Sequence, residues 1–546
     1  MAEQGSMKAG LTSMIGRLRS IFAPGAAAPD ARPTAYLRDT RSGVIASRPA
    51  VLREHRDEIR RAWDRTAALA MDLIQNSGRI KGACDQIIGD TVGTELTLNP
   101  QPDLSGLGYS DAERRDLISL IKKRWKMYAW NASECDFRGK LTIPQQADIG
   151  IRWWIAYGES TSILSFMPAA QRRRYGITTG SKVLMVPPIR LVRETQEALR
   201  LYQGVFHDEN GRATKYRFRT RADGILETRD FAARDADGRS QVQHIFDPMD
   251  ATDVRGISLL APTFRRHIQH EMLDDATLQM AVLQTIYAIV LTSEAPSADA
   301  FEALEVLKES GADNAQQIAQ EFANYYEAQL EQASKSKINV SPDPTISHIA
   351  PGEKLSIETA KIPGGEYLPF ADALSRDMAR AMGITFGGLT MNYRDATYSS
   401  VRMETSSLWP VVQRRRERIA APHYQGPYEN WLDEEIGEGR IPFKGGYEAF
   451  LANRERICWA TWQGPAKPTA DDLKSAKASS EKMANGTTSI AHEAGELGVD
   501  PDELFEQRLM EHKRYIDAGM RSPYDRGAPS DPADERDEAP AARKQA

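Results

Sequence analysis

Two short stretches of the sequence carry residue types that could perform enzymatic chemistry. Gly176–Lys182, which reads GITTGSK, is similar to a phosphate-binding loop, but its spacing is one residue short and Val183 stands where Ser or Thr is needed. His267, His270 and Glu271 form an HxxHE cluster on a predicted helix, whereas zinc proteases use HExxH or HxxEH. We interpret the first stretch as a β-turn and the second as surface polar residues of an amphipathic helix.

The rest of the chain offers no stronger catalytic pattern. It contains no GxSxG elbow, and no GxGxxG follows a predicted strand. Adjacent carboxylates such as Asp274 and Asp275 point apart on a helix, so they make a poor general acid and base. The sequence therefore predicts no enzyme, no metal site and no cofactor.

The most informative polar feature is a basic helix predicted from about Ser399 to Arg418. Its arginines, which outweigh Glu404 and Glu417, are Arg402, Arg414, Arg415, Arg416 and Arg418. They form either a solvated face with salt bridges or a surface that contacts phosphates without regard to base sequence. A loop before this helix offers Asn392, Tyr393 and Arg394, which are able to touch a nucleic-acid backbone.

A long helical pattern from Ile257 to Leu291 organises the chain around these residues. Its first half is amphipathic and its second half is apolar nearly all round, so the second half must be buried. Gln279 and Gln284 interrupt the apolar run, which is shorter than the ~20 residues that a membrane span needs. The helix is either an ordinary core helix or one that packs half in its own subunit and half against copies of itself.

The remaining pattern predicts a mixed α/β chain that is mainly helical. Two helices in 51–90 are separated by Asn76-Ser77-Gly78. From Ser160 to Phe246 the pattern changes to strands, predicted at SILSFMP, KVLMVPPIRLV, KYRFRTRA and VQHIFD. Further predicted elements are a strand at TELTLN, helices at 111–130, 143–157, 367–382 and most of 430–520, a strand at RIPF, and a turn at Trp462-Gln-Gly-Pro465. Residues 1–50 and 521–546 have compositions typical of disordered segments.

Composition and length limit the number of domains, the kind of partner and the compartment of the protein. A chain of 546 residues is too long for one core, and about two to four domains are expected. The formal net charge is −6, which excludes a wholly basic nucleic-acid coat but permits local basic patches. Cys84, Cys135 and Cys458 form no CxxC pair, which favours a reducing compartment over a disulfide framework. No signal peptide is evident in residues 1–22, so we expect a soluble intracellular product without a membrane partner.

The order of three motifs resembles the lambda-type portal proteins of tailed bacteriophages. The first is His244-Ile-Phe-Asp with Val254-Arg-Gly-Ile-Ser before the long helix. The second is Met382-Gly-Ile-Thr-Phe with Ala396-Thr-Tyr-Ser-Ser before the basic helix, and the third is Trp462-Gln-Gly-Pro465. Weaker agreement lies at Thr91-Val-Gly93 and Ala156-Tyr-Gly-Glu159, so that the resemblance spans roughly residues 50 to 520.

The resemblance implies a portal fold with a wing, a two-helix stem, a clip and a helical crown, assembled as a ring. Its parts would be an N-terminal arm at 1–50, the wing at 51–256, stem helices at 257–292 and 365–382, the clip at 293–364, a tunnel loop at 383–398, a long basic helix with part of the wing at 399–444, the crown at 445–520 and a tail at 521–546. Tunnel-loop residues Asn392, Tyr393, Arg394 and Tyr398 would approach DNA. Stem acids Glu271, Asp274, Asp275, Asp372 and Asp377 would line the channel, and Met280, Leu283 and Tyr287 would lie between subunits.

The resemblance also implies partners and a location. Family members form a ring, usually a dodecamer, at one capsid vertex, where double-stranded DNA enters and leaves. Implied partners are other copies of the chain, the terminase large subunit, the head–tail adaptor, the major capsid protein and the scaffold, first in the host cytoplasm and then in the virion. Two other readings of the residues are a capsid-associated nuclease or NTPase and a DNA-binding scaffold that forms no ring.

Overall fold

The computed structural model describes residues 52–222, 225–286, 367–394, 396–468 and 472–525, together with Gln320 and Asn324. The predicted N-terminal arm, nearly all of the predicted clip and most of the predicted tail lie outside the described residues.

The N-terminal part of the described chain is helical because its apolar residues recur at helical spacing and its helix ends carry capping residues. Its helices are α1 His55–Asn76, α2 Gly78–Thr91, α3 Asp111–Ala129, α4 Ala132–Cys135, α5 Ile143–Tyr157 and α6 Ala169–Tyr175. Ser77 separates α1 from α2 and caps α2, as the predicted break required. Thr142 and Gln145 form a capping box at the start of α5, and Gly158 ends α5 with a φ of 83°.

Within the described residues, three antiparallel sheets accompany these helices. Their strands are β1 Thr97–Pro100, β2 Glu159–Phe166, β3 Ser181–Met185, β4 Leu201–Tyr202, β5 Val205–His207, β6 Ala213–Ala222, β7 Ile225–Ala232, β8 Val242–Phe246 and β9 Ala460–Gln463. Strands β3-β2-β8 form one sheet, β4-β5-β6-β7 form a second, and β1 pairs with β9 across most of the chain length.

A helix pair and a run of consecutive helices follow β8. The pair is α7 Phe264–Ile286, which begins after a 3₁₀ turn containing Pro262, and α8 Tyr367–Met382. After the short helix α9 Phe386–Thr390, helix α10 Tyr398–Arg415 passes through a π-helical turn, Arg416–Ala420, into α11 Ala421–Gly437. The remaining helices are α12 Gly446–Leu451, α13 Arg454–Ile457, α14 Asp472–Ala484, α15 Ile490–Glu496 and α16 Pro501–Asp517.

One large apolar core joins distant parts of this chain. Trp125 of α3 lies within 5.7 Å, centroid to centroid, of rings from Tyr428, Trp431 and Trp462. Phe450 and Ile457 belong to the same core, so the residues up to β9 are packed with helices that were predicted to form the wing. The predicted boundary between wing and crown at 445 stays a prediction, but 446–463 share their core with residues before it.

Four local expectations were wrong. The RIPF segment, Arg440–Phe443, forms no strand, and the turn predicted at Trp462 is the end of β9 instead. The predicted loop 383–398 contains α9, because Thr385 caps a helical turn by accepting a hydrogen bond from the Gly388 N–H at 2.9 Å. The last error concerns His267 and His270, which were placed on the surface but are buried at 0% and 2% exposure, since α7 turns that face toward α8 and the core.

Candidate functional site

Arg415 holds the start of the segment predicted to touch DNA. Gly383, with a φ of 63°, reverses the chain after α8. The guanidinium of Arg415 donates a hydrogen bond to the carbonyl oxygen of Gly383 at 3.2 Å and another to that of Met382. Burial, reinforced by the like charge of Arg414, lowers the pKa of Arg415 to about 10. This arginine therefore fixes the end of α8 from within the protein.

Arg416 joins two other segments in the same way. Its guanidinium donates to the carbonyl oxygens of Thr91 at 3.0 Å, Asp90 at 3.2 Å and Pro465 at 3.0 Å. A side chain at Gly464 would bring its Cβ to 2.3 Å from Arg416 Nε, so only glycine fits there. The Thr91-Val-Gly and Trp-Gln-Gly-Pro motifs thus meet at one buried guanidinium.

The structure corrects the prediction for two of the five arginines in the basic helix. Arg415 and Arg416 are 6% and 8% exposed, and the carbonyl oxygens described above occupy their donors, so they are not phosphate contacts. Arg418 is exposed but forms an ion pair with Asp247 at 3.2 Å. Arg402 and Arg414 are exposed and form no ion pair with another described residue.

The exposed tip of the predicted tunnel loop lies just after α9. Met391, with a φ of 53°, turns the chain, and the Asn392 side chain accepts a hydrogen bond from the Arg394 N–H at 3.1 Å. Tyr393 is 54% exposed, and one edge of its ring lies over Gly387, where an added Cβ would approach the ring to 2.4 Å. Asn392, Tyr393 and Arg394 are thus held together in one short, exposed turn.

Two residues of α10 lie next to this loop and make contacts outside α10. Tyr398, the fourth predicted loop residue, is the first residue of α10, and its ring lies 5.4 Å from Lys474 Nζ. The side chain of Glu404 accepts a hydrogen bond from the Phe386 N–H at 2.5 Å, which ties the start of α9 to α10. Sequence reasoning missed this role of Glu404, because nothing in its local pattern reveals a partner 18 residues away.

The predicted channel acids differ in how free their charges are. Asp274 accepts hydrogen bonds from Tyr367 at 2.5 Å and from Arg79 at 3.5 Å. Glu271 lies 2.9 Å from His267 Nε2. The other three predicted channel acids, Asp275, Asp372 and Asp377, form no ion pair with another described residue. Asp275 and Asp377 are exposed, and Asp372 is half-buried.

A buried Ser–His–Asp series joins α7 to α8. Ser375 Oγ lies 3.3 Å from His270 Nε2, and His270 Nδ1 lies 3.1 Å from Asp274 Oδ2. This is the order of groups in serine hydrolases, where the serine must meet a substrate. Ser375 is 3% exposed and His270 is 2% exposed, so this series is closed to a substrate and instead fastens the two helices together.

A second buried cluster brings together both parts of the first motif and the Ala156-Tyr-Gly-Glu159 stretch. Arg255 Nε donates to both carboxylate oxygens of Glu159 at 2.7 and 2.8 Å, and His244 Nε2 lies 2.8 Å from the same carboxylate. Burial alone would raise the pKa of Glu159, but Arg255 and His244 hold it at about 2. An added Cβ at Gly256 would stand 1.9 Å from the Gly158 carbonyl oxygen, so the two segments cross in direct backbone contact.

The loop that is similar to a phosphate-binding loop is filled by carboxylates of the protein. The Thr178 and Thr179 N–H groups donate to Glu134 at 2.9 and 2.8 Å. The Gly180 N–H donates to Glu434 at 2.6 Å. Lys182 is buried and donates to the carbonyl oxygens of Ser133 and Glu134 instead of reaching a ligand. The interpretation of this stretch as a turn without nucleotide therefore agrees with the contacts of the loop.

The predicted subunit-interface residues are only partly covered by the structure. Met280 is 40% exposed on α7. The side chain of Leu283 and all of Tyr287 lie outside the described residues. Within the described ranges, no group of three or more His, Cys, Asp or Glu residues could hold a metal ion. Among the same residues, no helix is both long and apolar enough to cross a membrane.

These observations describe a protein in which buried hydrogen bonds hold a helix pair and the start of an exposed loop against one core. The chain belongs to the lambda family of phage portal proteins, whose family model matches residues 41–416. The family assignment made from the motifs is thereby confirmed.

Three individual proteins are similar to this chain over most of its length. The chain is 24% identical over 477 residues to portal protein B of Escherichia phage lambda, covering 84% of this chain and 86% of that protein. It is also 24% identical over 481 residues to the portal protein of Escherichia phage N15, with the same coverage of 84% and 86%. A chain from the virion of a native gene transfer agent particle is 13% identical, with a TM-score of 0.37 over 80% of this chain and 95% of that chain.

Proposed function

We propose that copies of this chain form a closed ring at one capsid vertex and that double-stranded DNA passes through the ring during packaging and ejection. The ring docks the terminase large subunit during packaging and the head–tail adaptor afterwards, and it contacts the major capsid protein and scaffold. The dodecameric number and these partners rest on membership of the portal family. The virion is the expected location, after assembly in the host cytoplasm.

The observation that carries the ring proposal, beyond the family, is the apolar surface left exposed on the helix pair. Met272 and Leu278 of α7 are 66% and 65% exposed, and Leu368 and Phe370 of α8 are 63% and 57% exposed. Exposed apolar side chains concentrated on one helix pair are typical of a surface that another protein covers. Head-to-tail contact between identical subunits closes into a ring when the rotation per subunit allows it.

The charge of the same helix pair supports passage of DNA through the ring. A conduit must not hold its cargo, and affinity for DNA rises with the number of phosphates that cations neutralise. Asp275 and Asp377 are exposed and form no ion pair with another described residue. Turned toward the channel, these carboxylates would repel the phosphates and let the DNA slide.

Electron microscopy of the negatively stained, purified protein tests ring formation. We expect rings with a central hole for the natural chain and for Leu199→Glu, a control at a residue that is 55% exposed on a 3₁₀ turn near β4. Met272→Glu and Phe370→Glu should leave folded subunits that do not close into rings, because each buries a charge in the subunit contact. Rings formed equally well by all variants would contradict the proposed contact, and a natural chain that forms no rings would contradict the ring itself.

Packaging assays test the loop tip separately. Replacing Tyr393 and Arg394 with alanine should lower DNA packaging or DNA retention while rings still assemble, because both side chains lie in the exposed tip. Tyr175→Ala is the matched control, since Tyr175 is 66% exposed on the distant helix α6. Loss of rings in the tip variant would refute its assignment as a tunnel loop.

A further inference from the structure

The outer face of the β4–β7 sheet concentrates positive charge. Strand side chains alternate between the two faces, so Tyr216 and Phe218 of β6 face the core while Lys215, Arg217 and Arg219 face outward. The three cations are spaced at alternate residues and span about 13 Å, a length of duplex that carries roughly eight phosphates. A chain with a net charge of −6 thus presents a row of one sign on this strand.

The acidic side chains of this face do not neutralise the row. Asp230, opposite Arg217 in the β6–β7 register, binds that arginine through two hydrogen bonds of 2.8 and 3.0 Å. Glu194 also binds Arg217, at 3.1 Å. Lys215 and Arg219 are exposed, and neither forms an ion pair with another described residue. Two positive charges of the row are therefore left to the solvent.

A fourth cation joins the row from a neighbouring segment. Leu191 forms an antiparallel bridge with Phe218, which places Arg190 beside Arg219 in register. Both arginines are exposed, and Arg190 forms no ion pair with another described residue. Like charges placed opposite each other across strands are unfavourable, and folding alone does not require them here. A bound anion would remove this repulsion.

From this arrangement we propose that Arg190, Lys215 and Arg219 form a phosphate-binding surface for duplex DNA, separate from the loop tip and from the helix pair. We call it the β6 basic surface. Its contacts are with the DNA backbone and are indifferent to base sequence. The proposal rests on the proposed function for the choice of duplex DNA as the polyanion that the protein meets.

The chemistry of the surface favours DNA over an acidic protein. Stable protein contacts have an apolar core that excludes water. On the described outward face of β6 and β7, the side chains are cations, Thr228, Asp230 and Ala232, and Phe206 of β5 lies half-buried beneath the Arg217 guanidinium at 4.9 Å. Such a face offers charge without an apolar anchor, which suits phosphates.

Fluorescence anisotropy with a labelled duplex, titrated between 50 and 200 mM KCl, tests the proposal on the full chain. The variant is Arg190→Glu/Lys215→Glu/Arg219→Glu. The control, Lys123→Glu/Arg173→Glu/Arg174→Glu, makes the same change in net charge at three other exposed cations on α3 and α6 that form no ion pair with a described residue. Because each phosphate contact contributes about 0.9 to the salt slope, we expect the variant to lose about 3 from the slope and at least ~10-fold in affinity at 50 mM.

The control should keep most of its affinity and its slope. Equal losses in variant and control would overturn the proposal, because net charge alone would then explain the binding, and so would an unchanged variant or no binding by the natural chain at 50 mM. A poly-glutamate peptide that binds more tightly than the duplex would assign the surface to an acidic protein and also overturn it. Sedimentation and electron microscopy of the same samples score ring formation, so failure of the ring proposal remains distinguishable.

Discussion

Removing the charge of Glu159 should strongly lower the free energy of unfolding of the protein. In Glu159→Gln the neutral amide replaces the counter-ion of Arg255, and both side chains are fully buried. Breaking a buried pair on one side typically costs ~3–5 kcal/mol, because the remaining charge has no compensation. The pKa of Glu159, lowered from 4.5 to about 2, gives an independent estimate of roughly 3 kcal/mol for the preference for the ionised form.

Urea denaturation of unassembled subunits at pH 7 measures this loss as a fall in the free energy of unfolding. Glu209→Gln is the matched control, because Glu209 pairs with Arg200 at 3.2 Å while its side chain is 80% exposed, and its loss should stay below about 1 kcal/mol. In the double variant Glu159→Gln/Arg255→Met the buried charge disappears, so the combined loss should fall at least ~1 kcal/mol short of the sum of the single losses. A loss under about 1 kcal/mol for Glu159→Gln, or strictly additive losses, would refute the account of this buried cluster.

Three further outcomes follow from other contacts. Gly387→Ala should displace the Tyr393 ring, which a Cβ would approach to 2.4 Å, and packaging assays should then show a loss similar to that of Tyr393→Ala with rings intact. Arg416→Met should lower the free energy of unfolding by ~3 kcal/mol or more, because three carbonyl oxygens lose the buried guanidinium that donates to them. Arg414→Met, on the exposed face, should change it by less than about 0.5 kcal/mol. Equal effects of the two variants in urea titrations would contradict the burial argument. Burial lowers the pKa of His423 from 6.5 to about 4, so the unfolded chain binds the extra proton and stability should fall by up to ~3 kcal/mol as the pH drops from 6.5 to 4. His423→Phe should flatten the pH profile of stability between pH 6.5 and 4, and an unchanged profile would contradict the role given to His423.

The sequence predicted best what local chemistry determines. The break at Asn76-Ser77-Gly78 and the bounds of the helix at 143–157 were both predicted, because each depends on residues within one helical turn. Strands β4, β5 and β7 were missed, since they are short or charged and become strands only through pairing, β4 with β5 and both β5 and β7 with β6.

The burial of the predicted site residues was predicted less well, because it depends on partners that are distant in sequence. The spacing of Arg415 and Arg416 was typical of an exposed basic face. Both are nevertheless internal, because a π-helical turn begins at Arg416 and because their donors are taken by carbonyl oxygens up to 326 positions away. His267 and His270 likewise looked exposed because the face of α7 that meets α8 cannot be read from α7 alone. Asn392–Arg394 are exposed, as predicted for residues of a loop between two helices, whereas their contact with DNA stays a prediction.

The way the loop tip is attached makes it exchangeable. Its supports are the guanidinium of Arg415 behind Gly383, the carboxylate of Glu404 at the start of α9, and the Thr397 cap of α10. None of these groups belongs to Met391–Arg394, so the four tip residues can change without altering the frame that presents them. Under the proposed function, grafting another portal's tip between Thr390 and Ala396 would therefore alter how DNA is handled while leaving folding unchanged. The frame thus offers a natural place for portals to diversify and for engineers to intervene.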